Sequence, residues 1–312
     1  MGIRSLRALA ALAALALSAG GARALPLGDE NVLVWHNFTA QGSDVQGRLA
    51  AGGNVSINYY SVGDQLPAAL RGGATITAGG NVALPSGTVY YGNVVAGGSI
   101  TGAAATSWLQ PPYHATPNAS PAVNFASEQA RLTQLSQAIA ALAPTGTDVY
   151  QWSQLFLTGT GPGNIQIFDV GAADLAASSN IVVSDVDPAA TLIINVHGTT
   201  ASMHGGMDSF FTAHNSHVLF NFIDATALTF SGIGLEGSIL APTADIYGNS
   251  GVIWGQVVGA SWTGPMQVNQ VTYDGYVPAT GQSRANSSAP APATGLLFSA
   301  GLALIAWRRR RR

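Results

Sequence analysis

Through most of the chain, apolar residues come in short runs that glycine pairs interrupt. Leu49-Ala50-Ala51 is followed by Gly52-Gly53-Asn54 and then by Val55-Ser56-Ile57. The unit returns as Ile76-Thr77-Ala78, Gly79-Gly80-Asn81 and Val82-Ala83-Leu84, and again as Val94-Val95-Ala96, Gly97-Gly98-Ser99 and Ile100. Its starts at Gly47, Ala74 and Gly92 lie 27 and then 18 residues apart, and Gly237–Ile246 and Gly255–Thr263 repeat the 18-residue step. A short β-stretch, a glycine corner and a second β-stretch make one coil of a solenoid. Glycine is expected at such corners to supply a positive φ, and the Asn54 and Asn81 side chains to hydrogen-bond along the stacked corners. One coil per roughly 18 to 25 residues, rising about 4.8 Å each, predicts a rod roughly 50 Å long. A β-sandwich with glycine-rich hairpins is the alternative; the 18-residue step, found twice, favours the solenoid.

One segment carries helical periodicity instead. Ser120-Pro121 supplies an N-cap and a first-turn proline, Phe125, Leu132, Leu135, Ile139 and Leu142 recur on one face, and Pro144 ends the run. This predicts an amphipathic helix over about 121–143, packed on the solenoid's flank. Strands are expected again at Asn164–Val170, Asn180–Val183, Thr191–Val196, His217–Ile223 and Ala227–Phe230. The fold class is therefore mainly β: a β-solenoid, parallel β-helix-like, with one flanking helix, over residues 25–278.

Both ends depart from this pattern. Arg4 and Arg7 precede the apolar run Leu9–Leu17, and Ala22-Arg23-Ala24 is a small-x-small cleavage pattern. Residues 1–24 thus read as a signal peptide cut after Ala24, with an apolar run too short to span a bilayer. Residues 279–293 form a polar linker of Ser, Asn, Ala and Pro. Residues 294–312 read as a membrane anchor. Gly295–Trp307 is uncharged and apolar, and Arg308, Arg309, Arg310, Arg311 and Arg312 form a basic stop that places the C-terminus in the cytoplasm. The thirteen apolar residues rise only about 20 Å as a helix against a hydrocarbon core of about 30 Å. A short anchor of this kind suits a sorting tail that is later cut.

Pro290, Ala291 and Pro292, followed by the apolar run and the arginines, resemble a PEP-CTERM sorting signal. Such tails are processed by exosortase in Gram-negative bacteria that make exopolysaccharide. Ala291 stands where that family has Glu. The resemblance implies a sorting protease of exosortase type as a partner, and attachment to the membrane through the tail.

Composition narrows the function classes. The chain has no Cys, so disulfides and thiolate metal sites are out. It has no Lys, and all twelve basic residues are Arg. Outside the signal and the tail, four arginines face fifteen acids, a net charge of −11 for the exported body against −3 for the whole chain. Such a body excludes nucleic acid and anionic lipid as charge-driven partners. It suits cations, basic partners or neutral glycans. Gly at 38 residues with only 9% charged residues suggests a turn-rich solenoid or barrel rather than a helical enzyme.

Residues 32–54, including Gly42-Ser43-Asp44 and Gly52-Gly53-Asn54, together with Asp224–Asp245, resemble the choice-of-anchor A family over about residues 26–277. These are bacterial surface domains that carry different C-terminal anchors. The resemblance implies an adhesive domain, with collagen-binding relatives. It names no ligand-contact residues.

Candidate chemistry is sparse. His197, His204, His214 and His217 lie near one another in sequence with Asp208 among them. A metal site needs them to converge, and a Gly-rich loop with exposed polar side chains is the expected reading. On a strand, His214 and His217 would point to opposite faces. Asp185 and Asp187 would share a strand face, as a carboxylate pair for glycoside hydrolysis does, but Pro188 marks a turn where Asp is common anyway. Asp44, Asp169 and Asp174 suggest nothing sharper, and calcium has no recognisable motif. Thr75-Ile76-Thr77 is a Thr-x-Thr that the other repeats replace with Leu49-Ala50 and Val94-Val95, so no stacked ice-binding array is expected. Tyr59-Tyr60, Tyr90-Tyr91, Trp108, Trp152, Trp254 and Trp262 are candidates for stacking on sugars or for filling the core. The expected function is an exported, membrane-tethered bacterial surface protein, non-catalytic and without a cofactor. It would act in adhesion to a polysaccharide, such as exopolysaccharide, or to an extracellular-matrix protein. A polysaccharide-active enzyme and a structural matrix protein without a specific ligand are the alternatives.

Overall fold

The computed structural model describes residues 27–102, 109 and 112–277. Ala24 and the signal, the linker, the tail with Pro290, Ala291, Pro292 and Arg308 to Arg312, and Trp108 all lie outside these residues. Among the described residues no helix is long and apolar enough to cross a membrane.

The described chain is a three-faced β-solenoid. Face A is a ladder of ten parallel strands. Its order runs from Ile165–Gly171 through Thr191–His197, Val218–Phe222, residues 239–241 and residues 257–259 to Val32–Val34. It continues through Leu49–Ala51, Ala74–Ala78 and Asn93–Ala96 to Ala115–Thr116. At about 4.8 Å per step the rod is about 43 Å long. The five strand segments expected from the sequence are all present, within a few residues, save that Ala227–Glu236 runs longer.

Coil order does not follow chain order. The first strand, Val32–Val34, lies between Leu49–Ala51 and residues 257–259. The chain thus coils outward from mid-rod to Ala115–Thr116, crosses to the far end, and coils back until its last turns close on its first. Buried polar groups lock that closure. Asn31 Nδ2 donates to Gly255 O at 2.9 Å and to Asn269 O at 3.1 Å. Its Oδ1 accepts from the Gly47 N–H at 3.0 Å. Gln256 Nε2 donates to Glu30 O at 2.7 Å.

The crossing is made by the helix Phe125–Ala140, which lies against the outside of face A. It begins four residues later than Pro121, because Asn124, not Ser120, caps it by accepting from the Ser127 N–H at 3.1 Å. Leu132, Leu135 and Ile139 are buried on Leu33, Ala50, Ile193, Leu219, Leu240 and Val258, with Phe125 and Leu142 at the margins. Face A is covered on both sides where the helix lies, and its strands there are buried almost throughout, Asn195 and Asn221 included. Val218–Phe222 is buried at every position. Face B, described below, is covered on one side only, and Phe38–Gln41 alternates buried and exposed.

The corner glycines act differently from the expectation. Gly52, Gly53, Gly79, Gly80, Gly97 and Gly98 are absent from the residues at positive φ. They are needed for space. A Cβ on Gly79 would sit 2.1 Å from Gly52 O, and one on Gly97 would sit 2.2 Å from Gly79 O. Each corner rests on the backbone of the one before it, and only a residue without a side chain allows that approach.

Candidate functional site

Face B is the broad open surface of the rod. Its ladder joins Thr200–Met207, Ala227–Glu236, residues 245–248, residues 261–263, Phe38–Gln41, Val55–Asn58, Val82–Ala83 and Ile100–Thr101. Inward positions such as Phe38, Val55, Val82, Leu228, Phe230, Ile246 and Trp262 fill the core. Strand alternation then turns the residues between them outward.

The register aligns one outward row across all eight strands: Ser202, Thr229, Tyr247, Thr263, Thr39, Ser56, Ala83 and Thr101. Every member except Ala83 carries a hydroxyl. Thr39, Ser56, Thr101, Tyr247 and Thr263 are exposed. The hydroxyls recur at the coil spacing of about 4.8 Å. Because each coil contributes one, no Thr-x-Thr motif announces the row in the sequence. The Thr75-Ile76-Thr77 motif is elsewhere: Thr75 is fully buried, with its hydroxyl on Tyr90 O at 2.9 Å, and Thr77 is buried on face A.

A second row borders the first. Asn37 Oδ1 accepts from the Asn54 N–H, Asn54 Oδ1 from the Asn81 N–H, and Asn81 Oδ1 from the Ser99 N–H, each at 2.8 Å. This is the expected corner ladder, longer by Asn37 and Ser99. Toward the other end, Ser261 Oγ donates to Asp245 Oδ1 at 2.6 Å. The surface that results is flat, hydroxyl- and amide-rich and nearly uncharged, with Tyr247 standing from its middle.

The other candidates do not assemble. His197 faces Asp169 at 3.8 Å, His214 stacks on Phe210 at 4.4 Å, and His217 meets Asp274 at 3.2 Å. His204 is exposed on face B. His214 ends the helix Ser209–His214 and His217 lies in a 3-10 turn, so the strand geometry expected for them does not apply. Asp208 caps that helix, accepting from the Phe210 N–H at 2.9 Å. Among the described residues no three His, Asp or Glu are placed to hold a metal. Asp185 and Asp187 share no strand face either. Asp185 takes φ +53° near the end of its strand, while Asp187 lies beyond the strand and accepts from the Ala189 N–H at 2.8 Å in the turn at Pro188. Trp262 and Tyr60 are core, whereas Tyr59, Trp152 and Trp254 are exposed.

Residues 25–270 match the family described as "Putative Ice-binding-like adhesive domain". The chain belongs to this adhesive-domain family. Similar solved structures include an ice binding protein from an Antarctic Biological Consortium, 12% identical over 77% of this chain and 86% of that one, with a TM-score of 0.39. The glycosylated ice-binding protein LeIBP from an Arctic yeast is 14% identical over 85% of this chain and 100% of that one, at 0.37. The ice-binding protein of the Antarctic ascomycete Antarctomyces psychrotrophicus is 14% identical over 80% and 98%, at 0.34. No curated protein matches the sequence.

Proposed function

We propose that this adhesive domain is a non-catalytic surface module that holds an extended, hydroxyl-rich polysaccharide, such as exopolysaccharide, against face B. The hydroxyl row from Ser202 to Thr101 carries this reading. It offers donors and acceptors at a fixed step along the rod, as a repeating polymer requires. Individual contacts of this kind are weak, and affinity grows with the number made together. Tyr247, 46% exposed, adds an aromatic face for a sugar ring. The domain would be exported by its signal peptide, cut after Ala24, and tethered outside a bacterial membrane by the PEP-CTERM-like tail in the manner of choice-of-anchor A proteins. The described chain ends at Val277, packed in the cluster beneath the helix, so a tether there leaves face B open.

The test is co-sedimentation of the protein with insoluble exopolysaccharide, with collagen fibrils as a second bed and reducing ends measured in the supernatant. Saturable binding to the polysaccharide without sugar release supports the reading. Release of reducing ends promotes an enzyme, binding to collagen alone moves the partner to matrix protein, and no binding leaves a structural role. A second reading has one observation in its favour: a regular hydroxyl row on a flat face also suits ordered water, which is ice binding, named for the family and for the proteins above. Tyr247 projecting from the row counts against a flat fit to ice.

A further inference from the structure

Beyond the edge of face B, where the chain turns at Gly42 into the strand Asp44–Val45, lies an open pocket of about 340 Å³. Ser43, Asp44, Tyr59, Ser61, Asp64 and Tyr90 line it. Asp44 and Ser61 are register partners on neighbouring coils, and Asp64 follows two residues after Val62. Arg48 and Arg71 are engaged with other groups. Arg48 Nη2 donates to Leu70 O, and Arg71 Nε donates to Leu66 O at 2.9 Å while its guanidinium lies 3.8 Å over the Tyr91 ring. Among the described residues Asp44 Oδ2 accepts only a long bond, 3.4 Å, from Gln267. Asp64 Oδ1 is buried and meets no donor among the described residues, while its Oδ2 accepts from Gln65 Nε2 at 3.3 Å. Burial, and secondarily the Asp64 charge, hold the Asp44 carboxyl at about 6.

The fold turns Tyr59 toward the surface. Tyr60 is fully buried against Phe38 with its hydroxyl on Met266 O at 3.3 Å. Its neighbour Tyr59 is thereby turned outward, 75% exposed, at φ +49° with its N–H bound to Ser86 Oγ at 2.9 Å. A tyrosine at positive φ is a strained choice where glycine or asparagine would be easier.

We propose that the pocket binds the protonated amine of an amino-sugar unit, with Asp44 and Asp64 receiving the ammonium and the Tyr59 and Tyr90 rings flanking the pyranose. Two carboxylates lacking a cationic partner call for a donor of positive charge. Tyr59 and Tyr90 in the lining, together with Ser43 and Ser61, suit a polyol ring better than the bare alkyl stem of a lysine. The site is separate from the hydroxyl row and does not depend on the adhesive reading of face B.

The test uses the full-length protein and soluble probes in calorimetric titration: a glucosamine hexamer, an N-acetylglucosamine hexamer and hexalysine. The glucosamine hexamer is expected to bind at least tenfold tighter than the N-acetylated one. Asp44→Asn and Asp64→Asn should each weaken it at least tenfold, and Asp224→Asn, an exposed acid elsewhere, should leave it unchanged. Tyr59→Gly, which suits the backbone at that φ, should keep the melting temperature and still lose about tenfold in affinity. Equal binding of the two hexamers, equal loss in Asp224→Asn, or unchanged affinity in a folded Tyr59→Gly protein overturns the proposal. Binding of hexalysine without the glucosamine hexamer also overturns it and assigns the pocket to a basic protein. Because the probes are soluble and face B is untouched, these outcomes are independent of co-sedimentation.

Discussion

The indole of Trp262 stacks on the ring of Phe38, with centroids 6.1 Å apart and planes 11° from parallel. Both are fully buried, and they join the last coil to the first. The two halves of the rod therefore share one core. Trp262→Ala is expected to cost about 3–5 kcal/mol and to lower the melting temperature on the order of 10 °C. Calorimetry checks it. The melt should stay a single transition, and two resolved transitions would mean that the halves fold independently of this contact.

The corners give a second, ranked expectation. Gly79→Ala puts a methyl group 2.1 Å from Gly52 O, a contact with backbone that only a shift of the coil relieves. Asn54→Ala removes the acceptor of the Asn81 N–H at an exposed position where water can replace it. The first should cost about 2 kcal/mol or more and the second about 0.5–1 kcal/mol. Urea melts of the two variants measure the order; a costlier Asn54→Ala would mean that the amide ladder, not backbone approach, holds the stack.

A third concerns the helix. Ser136 Oγ donates to Asn221 Oδ1 at 2.6 Å, Asn221 Nδ2 donates to Ser136 O at 3.0 Å and to Asn195 Oδ1 at 2.9 Å, and Asn195 Nδ2 reaches Asp169 Oδ1 at 3.0 Å. Asn195 and Asn221 are fully buried. Asn221→Ala strands several of these partners and should cost about 2–3 kcal/mol. Hydrogen exchange should quicken first in Phe125–Ala140, and uniform quickening over the whole rod would refute a local tie.

These particulars mark what a sequence can disclose here. The coil was legible because Gly52-Gly53, Gly79-Gly80 and Gly97-Gly98 recur with the chain, and the helix stripe because Leu132, Leu135 and Ile139 recur within one element. The insertion of Val32–Val34 between Leu49–Ala51 and residues 257–259 was not, because pairing between distant segments leaves no local period. The same holds for the buried Asn195–Asn221 tie and for the face B row. Thr39, Thr263 and Tyr247 are neighbours only through register, and each looks like an ordinary strand residue in its own segment. The Asp44 pocket likewise gathers Asp44, then Tyr59 with Asp64, then Tyr90 from three successive coils.

Asp44 sets a pH dependence. Burial, then the Asp64 charge, raise its carboxyl from 3.8 to about 6, against a lowering by the Gln267 bond. The folded state therefore holds this proton more firmly than the unfolded state. The stability it contributes is fully present below 3.8 and is lost as pH rises through about 6. Asp44→Asn should stabilise the protein at pH 7.5 by on the order of 1 kcal/mol, discounted for partial solvent screening, and should change little at pH 3.5. Thermal melts at the two values test this. Greater stabilisation at the lower pH would reverse the sign and refute the assignment.

Face B can be divided by one residue. Tyr247 lies in the hydroxyl row beside Thr263, which in turn pairs with Thr39. A sugar polymer can stack on its ring, whereas an ordered water lattice gains from a flatter surface. Tyr247→Ala should thus weaken co-sedimentation with polysaccharide by about tenfold and leave any slowing of ice recrystallisation unchanged or stronger. Thr39→Arg plants a long charged side chain in the same row and should abolish either activity while keeping the fold, since Thr39 is exposed. If Thr39→Arg binds polysaccharide as well as the unaltered protein does, face B is not the adhesive surface. If Tyr247→Ala loses ice activity and keeps the polysaccharide, the row serves water rather than sugar.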